Sequence, residues 1–327
     1  MSQDLFQATG TIFENKMSDL TILSMGVGQD SITILYKIVF DADFKAKYAP
    51  ERLLILFADT HEETPETYDY LERVLKPFCK EYDLDFVHIT NDMGYHGESW
   101  KSLSTQWASG ERRTIGSVAY PKTCTSNLKL QPQYRYVEQW LFEQYEYVTK
   151  ASRKAGFIQF AKYYGKIRWL IGISKGEEKR VADAENDTFK WRKQSIELVY
   201  PLIEEGLGRQ ECQDYIRSVG MEIPFPSNCL KCPFLGANKM ELLWMYMSYP
   251  DKFEEWAEEE DAKLQDHQDA VKNLGVCGKL HKDGERKGKA VTLLDTLEEA
   301  KAMYPDITLD ELTEYRFSHG HCAVSVY

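Results

Sequence analysis

The sequence predicts an α/β fold, a parallel sheet with helices on both faces, followed by a mostly helical C-terminal part. Three observations carry this. Strand-like runs alternate with helix-like ones along the first two thirds of the chain. Several of those runs are almost continuously apolar, as strands covered on both faces should be. At 327 residues the chain can bury a large core without disulfide or metal staples.

The first strand is read from Leu20 to Met25, and the glycine-containing stretch SMGVGQDS (24–31) links it to a helix-like run, Ile32 to Phe40. Arg52 to Ala58, Asp85 to Thr90 and Ile167 to Ser174 continue the sheet, and Glu197 to Ile203 is a further strand. Between 132 and 166 lies an insertion rich in Tyr, Trp and Phe, read as helix packing, with a partner surface as the sharper alternative. The Glu- and Asp-rich stretch 250–273 is read as a solvated helix face. These features divide the chain into a main α/β domain over 1–236 and a mainly helical subdomain over 237–327.

Composition narrows the class. With 43% hydrophobic and 28% charged residues and no apolar run of membrane-span or signal-peptide length, a cytoplasmic protein is expected. A formal charge of −12 disfavours long-range capture of nucleic acid, leaving a local basic groove or a basic partner as the route to it. Seven cysteines are read as free thiols, metal ligands or redox groups.

The 24–31 stretch has the parts of an anion site. Gly26 and Gly28 allow a sharp turn and close approach of a ligand, the following helix offers its amides and positive dipole end, and Ser24 and Ser31 add hydroxyls. It matches neither G-x-G-x-x-G nor a Gly-Lys-Ser/Thr loop. A plain helix cap at Asp30-Ser31 is the structural alternative.

The loop has companions in a fixed order: ADTHEETPETYDY (58–70), PKTCTSNLKLQP (121–132), LIGISKGEEKRV (170–181), then YPLIEEGLGRQECQDYIRSVG and PFPSNCLKCPF. Together these resemble the adenine nucleotide α-hydrolase (PP-loop ATP pyrophosphatase) superfamily, and within it phosphoadenosine phosphosulfate reductase-like proteins. The likeness covers about 20 to 236. It implies a Rossmann-like parallel sheet and chemistry between the α- and β-phosphates of a nucleotide. Ser24, Gly26, Gly28, Asp30 and Ser31 would cradle pyrophosphate, with Asp30 alternatively holding Mg²⁺. Asp59 and Thr60, past the second strand, would line the adenosine pocket. Lys129, Lys175 and Arg180 would neutralise phosphate charge, and Glu177 would orient Arg180 or ligate metal. His61 and His88 show no partner in the sequence.

The C-x-x-C at Cys229 and Cys232 offers two thiolates to one metal site, or a redox pair. The resemblance adds Cys124 as third ligand of an iron–sulfur cluster, [4Fe-4S], with Cys322 the preferred fourth, Cys212 and Cys277 in reserve, and zinc the alternative. Cys79 is read as structural. Two places depart from sulfonucleotide reductases: Cys124-Thr125 stands where an adjacent Cys pair is usual, and HGHCAVSVY where a Glu-Cys-Gly-x-x-His tail is usual. Both set the chain apart from true reductases, and a three- or four-Cys cluster beside an ATP-type pyrophosphate loop more resembles sulfur-inserting members, including the ATP pyrophosphatases of DNA phosphorothioation, favoured here, and the thiolases of transfer RNA. That reading implies ATP with Mg²⁺, catalytic roles for Asp30, Lys129, Arg180 and Cys322, and a cysteine desulfurase or other sulfur donor as partner. The acceptor would be a nucleic acid reached through partner proteins. Two alternatives stay open: a reductase using Cys322 as nucleophile, and a non-enzymatic nucleotide- and zinc-binding module. Homo-oligomerisation is left open, and no membrane association is expected.

Overall fold

The computed structural model describes residues 18–108, 111–146, 148–149, 154–181 and 187–319. Five strands form one sheet: β1 (Leu20–Met25), β2 (Arg52–Ala58), β3 (Asp85–Ile89), β4 (Ile167–Ile171) and β5 (Ile196–Val199). Their order is β3-β2-β1-β4-β5, and all four pairings are parallel. Successive residues of β1 and β2 feed opposite layers, as the two-residue period requires. Leu23, Met25, Ile55 and Phe57 pack on one face with helix α1 (Gln29–Phe40) and the helix Arg209–Ser218. Leu20, Ile22, Leu54 and Leu56 pack on the other with the helices Gln131–Gln144 and Ala155–Tyr164. The expected α/β architecture, with helices on both faces, is therefore present.

Three strands end earlier than the sequence suggests, β3 by one residue, at Ile89. β4 ends at Ile171, where the Ile173 amide turns back to the Ile171 carbonyl at 3.1 Å. β5 ends at Val199, because Pro201 opens the short helix Pro201–Glu204. The aromatic insertion packs largely inward: Tyr134 meets Trp169 edge-on at 5.1 Å between ring centres, and Tyr145 meets Phe160 at 4.8 Å.

A third core lies beyond the sheet, where Trp244, Phe253, Trp256, Leu293 and Leu312 of the C-terminal helices gather with Leu103, Trp107, Ile115 and Leu128. The C-terminal helices thus share a core with the segment that carries Cys124. The acidic stretch also does more than face solvent. Glu255 and Glu259 of the helix Pro250–Asp266 hold Lys231, between the two C-x-x-C cysteines, at 2.5 and 2.7 Å. Asp266 holds Arg113 at 2.8 Å. Among the described residues, no helix is long and apolar enough to cross a membrane.

Candidate functional site

In a parallel sheet of this order, chain connections leave β1 in opposite directions, opening a crevice beyond the C-terminal ends of β1 and β4. A cleft occupies that place. Ser24 from β1, Gly26, Gly28 and the first turn of α1 form one wall, and Ile171 and Gly172 from β4 another. Cys124, Thr125 and Lys129 enter from a wide π-helical turn, Thr125–Leu130, a geometry frequent at functional sites. Arg180, Arg209, Lys122 and the segment Pro226–Cys229, with Cys232, complete it.

The loop turns differently from the sequence expectation. Neither Gly26 nor Gly28 has positive φ; the left-handed residue is Val27, at φ 56°, whose side chain is wholly buried in the core. A β-branched residue there is strained by about 1–3 kcal/mol. The glycines supply clearance instead: a Cβ on Gly28 would lie 2.7 Å from Ser227 Oγ, whereas Gly26 has room. The tightest glycine is Gly172, where a Cβ would lie 2.8 Å from the Ser31 amide nitrogen and 3.1 Å from the Asp30 carbonyl carbon. Its small size lets β4 meet the N-terminus of α1. Ser31 Oγ donates to the Gly28 carbonyl at 3.1 Å and accepts from the Gly26 amide at 3.4 Å, fixing the loop.

Asp30 is the buried acid of this wall. Burial raises its pKa above the ordinary carboxylate value, opposed by Arg209 and Arg180, and its Oδ1 has no hydrogen-bond partner. Glu177 does not line the cleft but bridges both arginines, Arg180 at 2.5 Å and Arg209 at 3.3 Å. Glu63 plays the matching part on the other side. Its Oε1 accepts from Lys129 Nζ at 3.2 Å, Thr60 Oγ1 at 3.1 Å and Cys229 Sγ at 3.7 Å, and its Oε2 is buried without a partner. A bridge between Glu63 and Cys229, with the Leu230 amide donating to the Glu62 carbonyl at 2.9 Å, brings the C-x-x-C there.

Besides Glu177, two residues expected in the pocket lie elsewhere. Asp59 is turned inward: its carboxylate accepts from the His61 amide at 2.7 Å and Tyr68 OH at 2.8 Å, and pairs with His88 Nε2 at 2.9 Å. These contacts also give His61 and His88 the partner missing from the sequence reading. Burial opposes ionisation of Asp59, but the hydrogen bonds prevail and lower its pKa. Lys175 is exposed beyond β4, its amide held by the Leu207 carbonyl, and does not reach the cleft. Thr60, Lys129 and Arg180 do.

Cys124, Cys229 and Cys232 share the cleft wall, and Cys322 lies outside the described residues. Burial and the neighbouring Glu63 push the Cys229 thiol well above its ordinary pKa. Cys212 and Cys277 are buried away from the cleft, the first pushed up to about 12 and the second to about 11. Cys79 sits in the core beside α1. Among the described residues, no three His, Cys, Asp or Glu side chains are gathered closely enough to hold one metal ion.

The sequence reading missed Lys122, Arg209, Ser227 and Asn228, all cleft residues. Arg209 had a usable signal, as it follows Gly208 at the start of an amphipathic helix, where Glu211 caps the Gly208 amide at 3.1 Å. No protein-family model matches this chain, nor does any curated protein or any solved structure.

Proposed function

We propose that this chain is an ATP pyrophosphatase of the PP-loop type that adenylates an acceptor for sulfur insertion. One observation carries the reading: the 24–31 loop, four cations and three cysteines converge on one cleft at the switch point of the sheet. The loop and the first turn of α1 hold the β- and γ-phosphates through backbone amides and the helix dipole. Lys129 and Arg180, with Lys122 and Arg209, stabilise charge on the equatorial oxygens as the bond to pyrophosphate breaks. Asp30, with its unpartnered buried oxygen, fits a Mg²⁺ ligand at this place.

An acceptor oxygen attacks the α-phosphorus, the bond from phosphorus to the bridging oxygen breaks, and pyrophosphate leaves. The adenylated oxygen is then a good leaving group. The outer sulfur of a persulfide on a cysteine desulfurase or other donor displaces AMP to give an acceptor–S–S–Cys disulfide. A second donor thiol then attacks the donor cysteine's sulfur, releasing the thiolated acceptor and leaving the donor's two cysteines as a disulfide. By the resemblance, Cys124, Cys229 and Cys232 would be the ligands of a thiolate-held [4Fe-4S] cluster, with zinc the competitor; all three line the cleft, although they are not gathered around a single ion position. When bound, such a cluster would supply redox and sulfur-carrying capacity beside the nucleotide. The acceptor favoured is nucleic acid, DNA phosphorothioation before transfer-RNA thiolation, by resemblance alone.

The test is pyrophosphate release from ATP and Mg²⁺ by anaerobically purified protein. Wild type should release it, and Asp30→Ala should be at least 10²-fold slower with its fold intact. Equal turnover by both would sink the assignment.

A further inference from the structure

A second cavity, of about 520 Å³, shares Leu103, Lys122, Cys124 and Pro233 with the cleft as walls. That is the size range of small-ligand pockets. Its described lining includes Lys122, Lys263, Lys272 and His267 and no carboxylate, in a chain of formal charge −12. Asp266 and Asp269, which flank His267, are taken by Arg113 and Arg112, each at 2.8 Å. Lys263 donates to neutral acceptors, Asn273 Oδ1 at 2.8 Å and the Leu274 carbonyl at 2.7 Å.

Ring faces alternate with these cations. Trp100, Trp107, Tyr120 and Phe234 line the same cavity; Tyr120 is 57% exposed, and Lys122 Nζ lies 5.3 Å from the centre of the Phe234 ring. Trp107 Nε1 is buried without a hydrogen-bond partner. Aromatic platforms interleaved with cations are how proteins hold unstacked nucleotides, the rings taking bases and the cations phosphates. An acidic peptide would use the lysines and leave the rings idle. An apolar ligand would do the reverse.

We propose that this cavity receives the acceptor as an unstacked nucleotide of a nucleic-acid strand. The base lies against Trp100 and Tyr120, and the backbone runs past Lys272 to the Lys122–Cys124 wall shared with the nucleotide cleft. The role of acceptor rests on the ATP chemistry proposed above, whereas the binding itself does not.

The test measures anisotropy of a fluorescein-labelled oligothymidylate with the full chain, and in parallel the affinity for a fluorescent ATP analogue. Tyr120→Ala should weaken the oligonucleotide about tenfold or more while leaving the ATP analogue unchanged. Lys272→Ala should weaken it less and lower the salt slope by about one. Because both side chains are exposed, the variants should keep the wild-type circular dichroism and melting temperature. ATP binding without oligonucleotide binding, or wild-type oligonucleotide affinity in both variants, would overturn the proposal and leave the ATP reading standing. Tyr120→Ala weakening the ATP analogue instead would give the cavity to adenosine and overturn it too, as would duplex binding tighter than single strand. Oligonucleotide binding lost with Tyr120 in a protein that binds no ATP would support the cavity and remove the ATP reading.

Discussion

Arg209 and Asp30 show how much of the site depends on residues far apart in sequence. Burial raises the pKa of Asp30, Arg209 and Arg180 oppose that rise, and both arginines are held by Glu177. Arg209→Ala should therefore slow pyrophosphate release by about 10²-fold, and Glu177→Gln by less, since Glu177 only positions the two cations. ATP-dependent pyrophosphate release across the two variants checks the ranking; a larger loss in Glu177→Gln would make it a metal ligand instead. The cysteines give a second prediction. Replacing Cys124, Cys229 or Cys232 by Ser should lower iron content and brown absorbance together in anaerobic protein, because a hydroxyl substitutes poorly for a thiolate, whereas Cys79→Ser should change neither. Zinc-loaded, iron-free wild type would refute the cluster. That the loop lines the cleft was legible because its residues are contiguous from Ser24 to Ser31, whereas its left-handed turn at Val27 was not. Asp59 was misplaced because its partners, His88 and Tyr68, come from β3 and the helix Pro65–Tyr70, and only packing shows that they claim its oxygens.

At the scale of elements, the strands were legible because a doubly covered sheet imposes long apolar runs, and the errors lie at ends. Apolarity alone cannot say where a ladder stops: Ile173 is as buried as Ile171, yet β4 ends before it. Nor does spacing separate a glycine that clears a neighbour from one that merely sits in a loop. Gly26 and Gly172 make that contrast testable. Gly172→Ala places a methyl against the backbone of Asp30 and Ser31, which cannot swing aside as a side chain can, so α1 and β4 must separate. The expected cost is about 1–3 kcal/mol of stability, with ATP affinity falling because the same turn forms the wall proposed to hold the phosphates. Gly26→Ala meets nothing closer than Ser227 Oγ at 3.9 Å and should melt within a degree or two of wild type. Thermal melts with and without ATP check both; equal melting of the two variants would show that the β4–α1 contact is not tight.

For the molecule as a whole, the site is bounded by parts that no local pattern joins. The third core links residues 103–128 to the C-terminal helices, and the buried pair Arg316–Glu241, with Arg316 also donating to the Pro226 carbonyl at 3.4 Å, ties the last described helix to the cleft segment. Glu260 is the most exposed of these links to pH, though it is almost wholly buried. It accepts the amides of Val276 at 2.7 Å and Leu293 at 2.6 Å, bracing two segments of the third core, with Asp295 and Lys263 as the charged groups that act on it. Burial pushes its carboxyl from the ordinary 4.5 up to about 7, the amide bonds opposing this without cancelling it. A folded-state pKa above the unfolded one means that the folded chain holds the extra proton between these values. The stabilisation from Glu260 is thus complete below about pH 4.5, declines as pH rises, and is gone above about pH 7. The full span is worth about 3 kcal/mol at most. Glu260→Gln removes the titration but also one acceptor, since Gln offers a single carbonyl oxygen to two amides, so its absolute stability should fall. Its slope is the decisive quantity: urea midpoints between pH 5 and 8 should fall less steeply with pH in Glu260→Gln than in wild type, and parallel slopes would show that Glu260 does not carry the proton.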